Sequence, residues 1–271
     1  QWVDYYTDGG KAERSELNKN DLFPSLNMKY QMNEKNSLRF AFSRTVTRPS
    51  FIEMAPFLYQ ESYGSAQIRG NADLQNGYNY NIDLRYELFE KNGDMLSITA
   101  YYKHLKAPIE RVQTLSGGSA VHSFRNADNG MATGGEIEFR KEIVKDLRFG
   151  VNGSYMYTNV KLPEGGAYTN SQRALQGASP YLANADLTYS PAFSNDRQLS
   201  VALLYNLQGP RIHSVGISGL GDIKQQPVHT LNFTGSYRFN RRFAVKLQVN
   251  DLLNQDILFK QEVPTTGDKV E

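Results

Sequence analysis

Asp83, Arg85 and Glu87 stand at alternate positions in the chain, and so do Glu136, Glu138 and Arg140. Alternation at period two puts each trio on one face of an extended strand. Carboxylates and guanidiniums arrayed in this way can pair across neighbouring strands, each pair worth about 0.2–1 kcal/mol, or line a wetted passage. Lys103, Arg148, Asp186, Arg238 and Lys246 hold equivalent positions in other stretches.

Residues able to do other chemistry are scattered. His104, His122, His213 and His229 lack the spacing of zinc or iron ligands. The serines have no nucleophile elbow with His and Asp nearby. Gly134-Gly135 and Gly165-Gly166 do not lead from a strand into a helix with Lys-Ser or Lys-Thr behind it, so they read as turn or bulge positions rather than phosphate loops. With no cysteine, the 271 residues carry neither a disulfide framework nor a thiolate metal site. A net charge of +2 and the lack of a basic run argue against nucleic acid. The expectation is no catalytic residue, no metal and no cofactor.

The elements that position the charges are strands. Tyr78, Tyr80, Ile82, Leu84, Tyr86 and Leu88 alternate without error against Asn79, Asn81, Asp83, Arg85 and Glu87. One side is oily and the other ionic, as in the wall of a membrane barrel. Leu96, Ile98, Ala100 and Tyr102 repeat the pattern against Ser97, Thr99, Tyr101 and Lys103, and Phe149, Val151, Tyr155 and Tyr157 repeat it against Arg148, Asn152, Ser154 and Thr158. Further alternating stretches run over 181–190, 198–208, 231–239 and 243–250, with an earlier one around Leu38, Phe40 and Phe42. Mean hydropathy is negative and no run approaches the ~20 apolar residues of a spanning helix. A transmembrane strand needs only ~9–11 residues, half of them polar.

Connections alternate in length. Those at 33–36, 91–94, 145–146, 191–196 and 240–241 are compact and rich in Asn, Asp, Gly, Pro and Lys, whereas 47–77, 107–130, 161–179 and 210–227 are long. Tight turns on one side of a layer and long loops on the other are expected of strands threading a bilayer. Within 107–130, Ile109 to Leu115 and Ala120 to Phe124 predict a hairpin closed at Gly117-Gly118, read as two wall strands extended into the outer medium. Phe89, Tyr189, Phe193, Phe239 and Phe243 lie beside the short turns, and Tyr78, Tyr102, Tyr155, Tyr157 and Tyr181 lie toward the long loops, as two aromatic girdles would.

Three stretches, SRTVTRPSFIEMAPF (43–57), GNADLQNGYNYNIDLRYELF (70–89) and GDMLSITAYYKHLKAPIERV (93–112), together with VNDLLNQDI (249–257), resemble the C-terminal barrel half of TonB-dependent outer-membrane receptors of the Bacteroidetes type. The resemblance covers roughly Leu22 to Ile257. It implies an all-β fold: an antiparallel up-and-down transmembrane β-barrel, with about ten membrane strands here out of a larger, roughly 22-stranded barrel, long extracellular loops and short periplasmic turns. Residues 1–20 are expected to be a polar lead-in or loop and 21–271 a partial barrel, with the plug domain and the final strand lying outside this chain. The implied function is energised uptake of a scarce nutrient (an iron chelate, cobalamin or a glycan) across the outer membrane of a Gram-negative bacterium. The implied partners are the lipid bilayer, an N-terminal plug domain and the TonB complex. Tyr59, Tyr63 and Arg69 are the expected ligand contacts in the longest loop. Asp83, Arg85, Glu87, Glu136, Glu138 and Arg140 are expected to line the lumen, and some of them to hold the plug.

Three other readings remain at this point. A passive porin or exporter would lack a plug. A barrel lipase or protease would cluster Ser, His and Asp at one rim. A soluble β-sandwich binding module would bury the oily faces against a second sheet.

Overall fold

The computed structural model describes all residues except 1, 7–11, 17, 61, 64–65, 117–118, 165, 192, 194–196, 264–268 and 271. Its centre is an 11-stranded sheet in which ten strands follow one another in chain order and the short strand Gln172–Arg173 attaches to one of them. The ten are β1 (Ser25–Gln31), β2 (Asn36–Thr47), β3 (Gly77–Phe89), β4 (Met95–Lys106), β5 (Asn129–Val144), β6 (Leu147–Lys161), β7 (Tyr181–Tyr189), β8 (Gln198–Gln208), β9 (Val228–Arg238) and β10 (Ala244–Val249). Every pairing between neighbours is antiparallel, so the sheet is an up-and-down meander. Strands β1 and β10 are its edges and do not pair with each other.

The short turns follow from asparagine chemistry. Asn33 Oδ1 accepts the backbone N–H groups of Lys35 and Asn36, both at 2.9 Å, and Asn240 Oδ1 accepts those of Arg242 at 2.8 Å and Phe243 at 2.9 Å. Such side chains close a turn by mimicking a backbone acceptor. Gly93 supplies the positive φ of 88° in the β3–β4 turn, and Asp146 takes φ 65° in the two-residue turn between β5 and β6. Asp94, at the end of its turn, accepts the Glu142 backbone N–H at 2.8 Å, and this bond, with help from Asn92, holds its carboxyl below the usual carboxylate range.

Oily residues of adjacent strands meet in register. Phe40 faces Leu84, which faces Ala100; Leu38 faces Tyr86, which faces Ile98, which faces Ile137. Among the described residues this side has no second layer. Leu84 is 47% exposed, Ile98 47%, Leu203 41% and Leu247 57%, which excludes the β-sandwich reading. An exposed apolar band spanning ten strands is a surface made for lipid.

Ordinary burial occurs instead among the long loops. Met54 and Leu74 pack with Ile109 and Phe124, while Val112, Ala127, Val160, Leu162 and Tyr168 form a second cluster with Leu175 against it. Met54 ends a one-turn helix, α1 (Phe51–Met54), whose N-cap Ser50 and Glu53 form a reciprocal capping box. The predicted hairpin forms from Ile109–Ser116 and Ser119–Asn126, with its Gly117-Gly118 tip outside the described residues. It does not extend the wall: Ala107 turns to φ 51° ahead of Pro108, and the hairpin joins Leu58–Tyr59 and Ile68–Arg69 in a separate four-stranded sheet. Arg211–Ser214, Ile223–Gln225, Phe259–Glu262 and Lys269–Val270 make another. Within 1–20, Trp2–Tyr6 and Ala12–Glu16 pair as a hairpin.

Two smaller expectations are corrected. Gly134 and Gly135 lie in unbroken register on β5 rather than at a bulge, with Gly165 of the other pair outside the described residues. Phe89 pairs with Met95 and shares its face with Glu87, so it does not belong to the lipid-side girdle. On that girdle Tyr237, Phe239 and Phe243 stack in series, with ring centroids 4.6 and 5.2 Å apart.

Candidate functional site: the ionic face and the loops above it

Register places all six predicted lumen residues on the face opposite the oily one. Arg39 stands directly across from Arg85, an unfavourable like-charge pair that Glu87, the next inward residue of β3, resolves. Glu87 accepts Arg39 Nε at 2.7 Å and the Ser37 hydroxyl at 3.0 Å through one oxygen, and lies 3.0 Å from Arg85 Nε through the other. Its side chain is 7% exposed, and the cations beside it offset its desolvation.

The series continues across β4. That strand contributes only the small buried Ser97 and Thr99 at this level, and Arg85 reaches over them to Glu138 at 4.0 Å. Arg140 closes the other side of Glu138 at 2.7 Å. The outcome is an alternating row, Arg39, Glu87, Arg85, Glu138, Arg140, spanning four strands. Asp83, across from Tyr101, and Glu136, across from Thr99, each stand one inward position toward the loops from Arg85 and Glu138, and among the described residues no ion pair holds either of them.

Carboxamides carry the row onward. Asn152, which faces Glu138, accepts an N–H from Asn184 at 2.7 Å, and Asn184 in turn accepts one from Asn206. A hollow of about 320 Å³ opens here, lined by Arg85, Thr99, Glu136, Glu138, Asn152 and Asn184. Each asparagine occupies an inward position legible in the sequence, but the ladder depends on register between strands, which no single strand encodes.

The loops above are fastened by a buried ion pair. Glu110, on the hairpin, lies 3.0 Å from Arg173 Nη1, the two side chains 6% and 3% exposed. The approach is off the hydrogen-bond axis, so the attraction is chiefly coulombic. Burial pushes the Glu110 carboxyl up, and the Arg173 guanidinium pulls it part of the way back. Arg173 also donates to the carbonyls of Ala174 at 3.2 Å and Arg111 at 3.4 Å, locking the 162–180 loop onto the hairpin. Beside this lock lies the larger cavity, about 560 Å³, lined in part by Tyr157, Gln172, Arg173, Arg211, Asp222 and Lys224.

Of the three predicted ligand contacts, Tyr59 and Arg69 fall on the two paired loop strands, diagonal to each other in the Leu58–Arg69 and Tyr59–Ile68 register. Tyr63 projects fully exposed from the connection between them. The structure does not gather the three around either of the cavities just described. Nor does it gather the histidines: His104 lies near Tyr80, His122 accepts from Arg111 at 3.2 Å, His213 packs on Phe259 and His229 bonds Tyr205 at 2.6 Å. Among the described residues no three His, Asp or Glu side chains come together as a metal site would require.

A one-layer antiparallel meander, lipid-ready on one side and ionic on the other, with a packed canopy of loops at one end, is the wall of an outer-membrane barrel. The chain belongs to the outer membrane protein beta-barrel family, whose model matches residues 3–268. It is 21% identical over 270 residues to the ferric enterobactin receptor of Pseudomonas aeruginosa, covering 92% of this chain and 35% of that protein. Among solved structures, the same receptor's G324V mutant superposes with a TM-score of 0.62 at 21% identity, over 86% of this chain and 35% of the receptor. The siderophore receptor PirA of Acinetobacter baumannii gives 0.63 at 18% identity, over 90% and 38%. The ferric yersiniabactin uptake receptor FyuA of Yersinia pestis gives 0.63 at 13% identity, over 95% and 36%. The chain thus spans about a third of the length of these relatives.

Proposed function

We propose that this wall is part of a receptor that takes up an iron chelate through the outer membrane. The observation carrying the reading is the alternating ionic row with Asp83 and Glu136, held by no ion pair among the described residues, above it, a charged face opposite the oily one. A passive pore needs only a wet lumen, whereas a face that offers unpaired carboxylates beside a preformed hollow suits a removable domain docked against it. In this reading further strands complete the barrel from the open edges of β1 and β10, a plug domain sits on the ionic row, and the TonB complex supplies the pull. Tyr59, Tyr63 and Arg69 make first contact with the chelate. Printed names of the relatives, a ferric enterobactin receptor, a siderophore receptor and a ferric yersiniabactin uptake receptor, favour an iron chelate over cobalamin or a glycan.

The test is uptake by cells carrying or lacking the full-length gene under iron limitation. Accumulation of ferric siderophore should require the gene and should stop when the proton gradient is collapsed. Uptake that survives the collapse points to a passive pore and overturns the proposal. Replacing Tyr59, Tyr63 and Arg69 together by alanine should weaken binding to whole cells without lowering receptor abundance.

A further inference from the structure

We propose that the chelate moves past this wall over its uncharged sector, along a carboxamide track of Asn152, Asn184 and Asn206 on β6 to β8, while the ionic sector of β2 to β5 stays covered by the plug. The proposal rests on the uptake reading above. On the face opposite the oily one, a single register row carries Ser37, Glu87, Ser97 and Glu138 across β2 to β5 and continues as Asn152, Asn184, Asn206 and Thr230 across β6 to β9. Its charges stop at Glu138. The row next toward the loops changes at the same strand, from Arg39, Arg85, Thr99 and Glu136 to Ser154, Leu182, Gln208 and Val228. The row next toward the turns passes from Arg140 to Gly150, Asp186, Leu204 and Asn232. Over these three rows β6 to β9 hold one ionisable group, Asp186, and its carboxylate lies over Gly150, where an added Cβ would collide with it. The lone charge thus leans back toward β5 and off the track.

Two properties of the track suit a solute in transit. Its amides bond one another, Asn206 to Asn184 and Asn184 to Asn152 at 2.7 Å, so they stay in line without a solute, and each keeps an N–H or a lone pair for one. Such bonds exchange with water at little net cost. A ferric chelate surrounds its metal with deprotonated oxygen donors, so as a whole it is neutral or anionic. On the ionic sector it would be pushed off by Asp83 and Glu136 and gripped by Arg39 and Arg85, whose charge-assisted bonds are roughly twice as strong as neutral ones. Passage requires contacts that admit the solute and then let it go. A plug, by contrast, gains from being held, and the charged rows hold it. The hollow of about 320 Å³ lies on the seam between the two sectors, with Glu136 and Glu138 on one bank and Asn152 and Asn184 on the other.

This chain has no cysteine, so a thiol introduced into the wall can be given a negative charge and relieved of it again within one receptor. In iron-limited cells carrying the full-length receptor with Asn184→Cys, sulfonatoethyl methanethiosulfonate should attach to the thiol and slow ferric siderophore uptake about tenfold relative to the same cells before labelling. Binding at the cell surface should not change, and dithiothreitol should restore the rate. Asn206→Cys should respond alike. Ala41→Cys, placed across from Asp83 on β2, should show no slowing. Uptake indifferent to the label at both asparagine positions, thiols there that the reagent never reaches, or equal slowing in the Ala41 variant overturns the proposal while the uptake reading stands. Parent cells that accumulate no ferric siderophore bring down both.

Discussion

Glu110 and Arg173 face each other at 3.0 Å in the loop canopy, side chains almost wholly shielded from water, 63 residues apart in sequence and on different loops. Removing either partner leaves a charge buried without its counter-charge, whereas removing both leaves chiefly a packing change.

Arg173→Leu should therefore cost about 3–5 kcal/mol of loop docking, and Glu110→Leu in the same chain should recover most of it. Hydrogen exchange at Val112 and Leu162 reads this directly, since both belong to the canopy clusters or abut them. Exchange unchanged in the Arg173 variant would show that the pair does not hold the loops.

The same carboxyl gives the canopy a pH dependence. Its docked pKa lies above the free value of 4.5, because burial outweighs the guanidinium's attraction. The docked state thus binds the proton more tightly than the undocked one. Its contribution is fully present below 4.5 and is lost as pH rises through the raised value. Limited proteolysis of the 162–180 loop should show this slope in the native protein and a flatter one in Glu110→Gln. A slope of opposite sign, or one that persists in the Gln variant, would assign the effect to another group.

Within the wall, the two faces should respond differently to charge. Leu84→Arg places a guanidinium in the oily band and should cost about 2–4 kcal/mol if it lies near the bilayer midplane. Arg85→Gln should cost under about 1 kcal/mol, because Glu87 keeps Arg39 at 2.7 Å and Arg85 itself is part-exposed. Denaturant unfolding from reconstituted bilayers compares them. Equal penalties would mean that both sides see the same solvent.

Adjacent glycines should differ as well. A Cβ at Gly134 would fall 2.7 Å from the Tyr101 hydroxyl and closer still to the Tyr155 carbonyl, whereas at Gly135 the nearest contact is the Thr99 carbonyl at 3.4 Å. Gly134→Ala should destabilise by about 1–3 kcal/mol, while Gly135→Ala should be nearly neutral. Truncating Tyr101 should rescue the first only in part, since the Tyr155 backbone stays in place. Full rescue would show that the ring alone sets the spacing.

Much of this protein was legible residue by residue. Period-two alternation from Tyr78 to Leu88 fixes which side chains share a face, and the Asn- and Gly-rich turns against long loops fix which end of each strand is which, because both are properties of a local backbone and its nearest neighbours in sequence. Strand count, the oily face and the ionic face followed. What no strand could specify is which position of one lies beside which position of the next, because register is settled by pairing among strands that are far apart in the chain. Hence the row from Arg39 to Arg140 and the ladder from Asn152 to Asn206 emerge only from the assembled sheet. The canopy is further removed still. The hairpin at 109–126 carries the alternation of a wall strand, yet the Ala107 backbone and the burial offered by Met54 and Leu74 turn it into a sheet of its own, and Glu110 acquires its partner only when two loops close over each other.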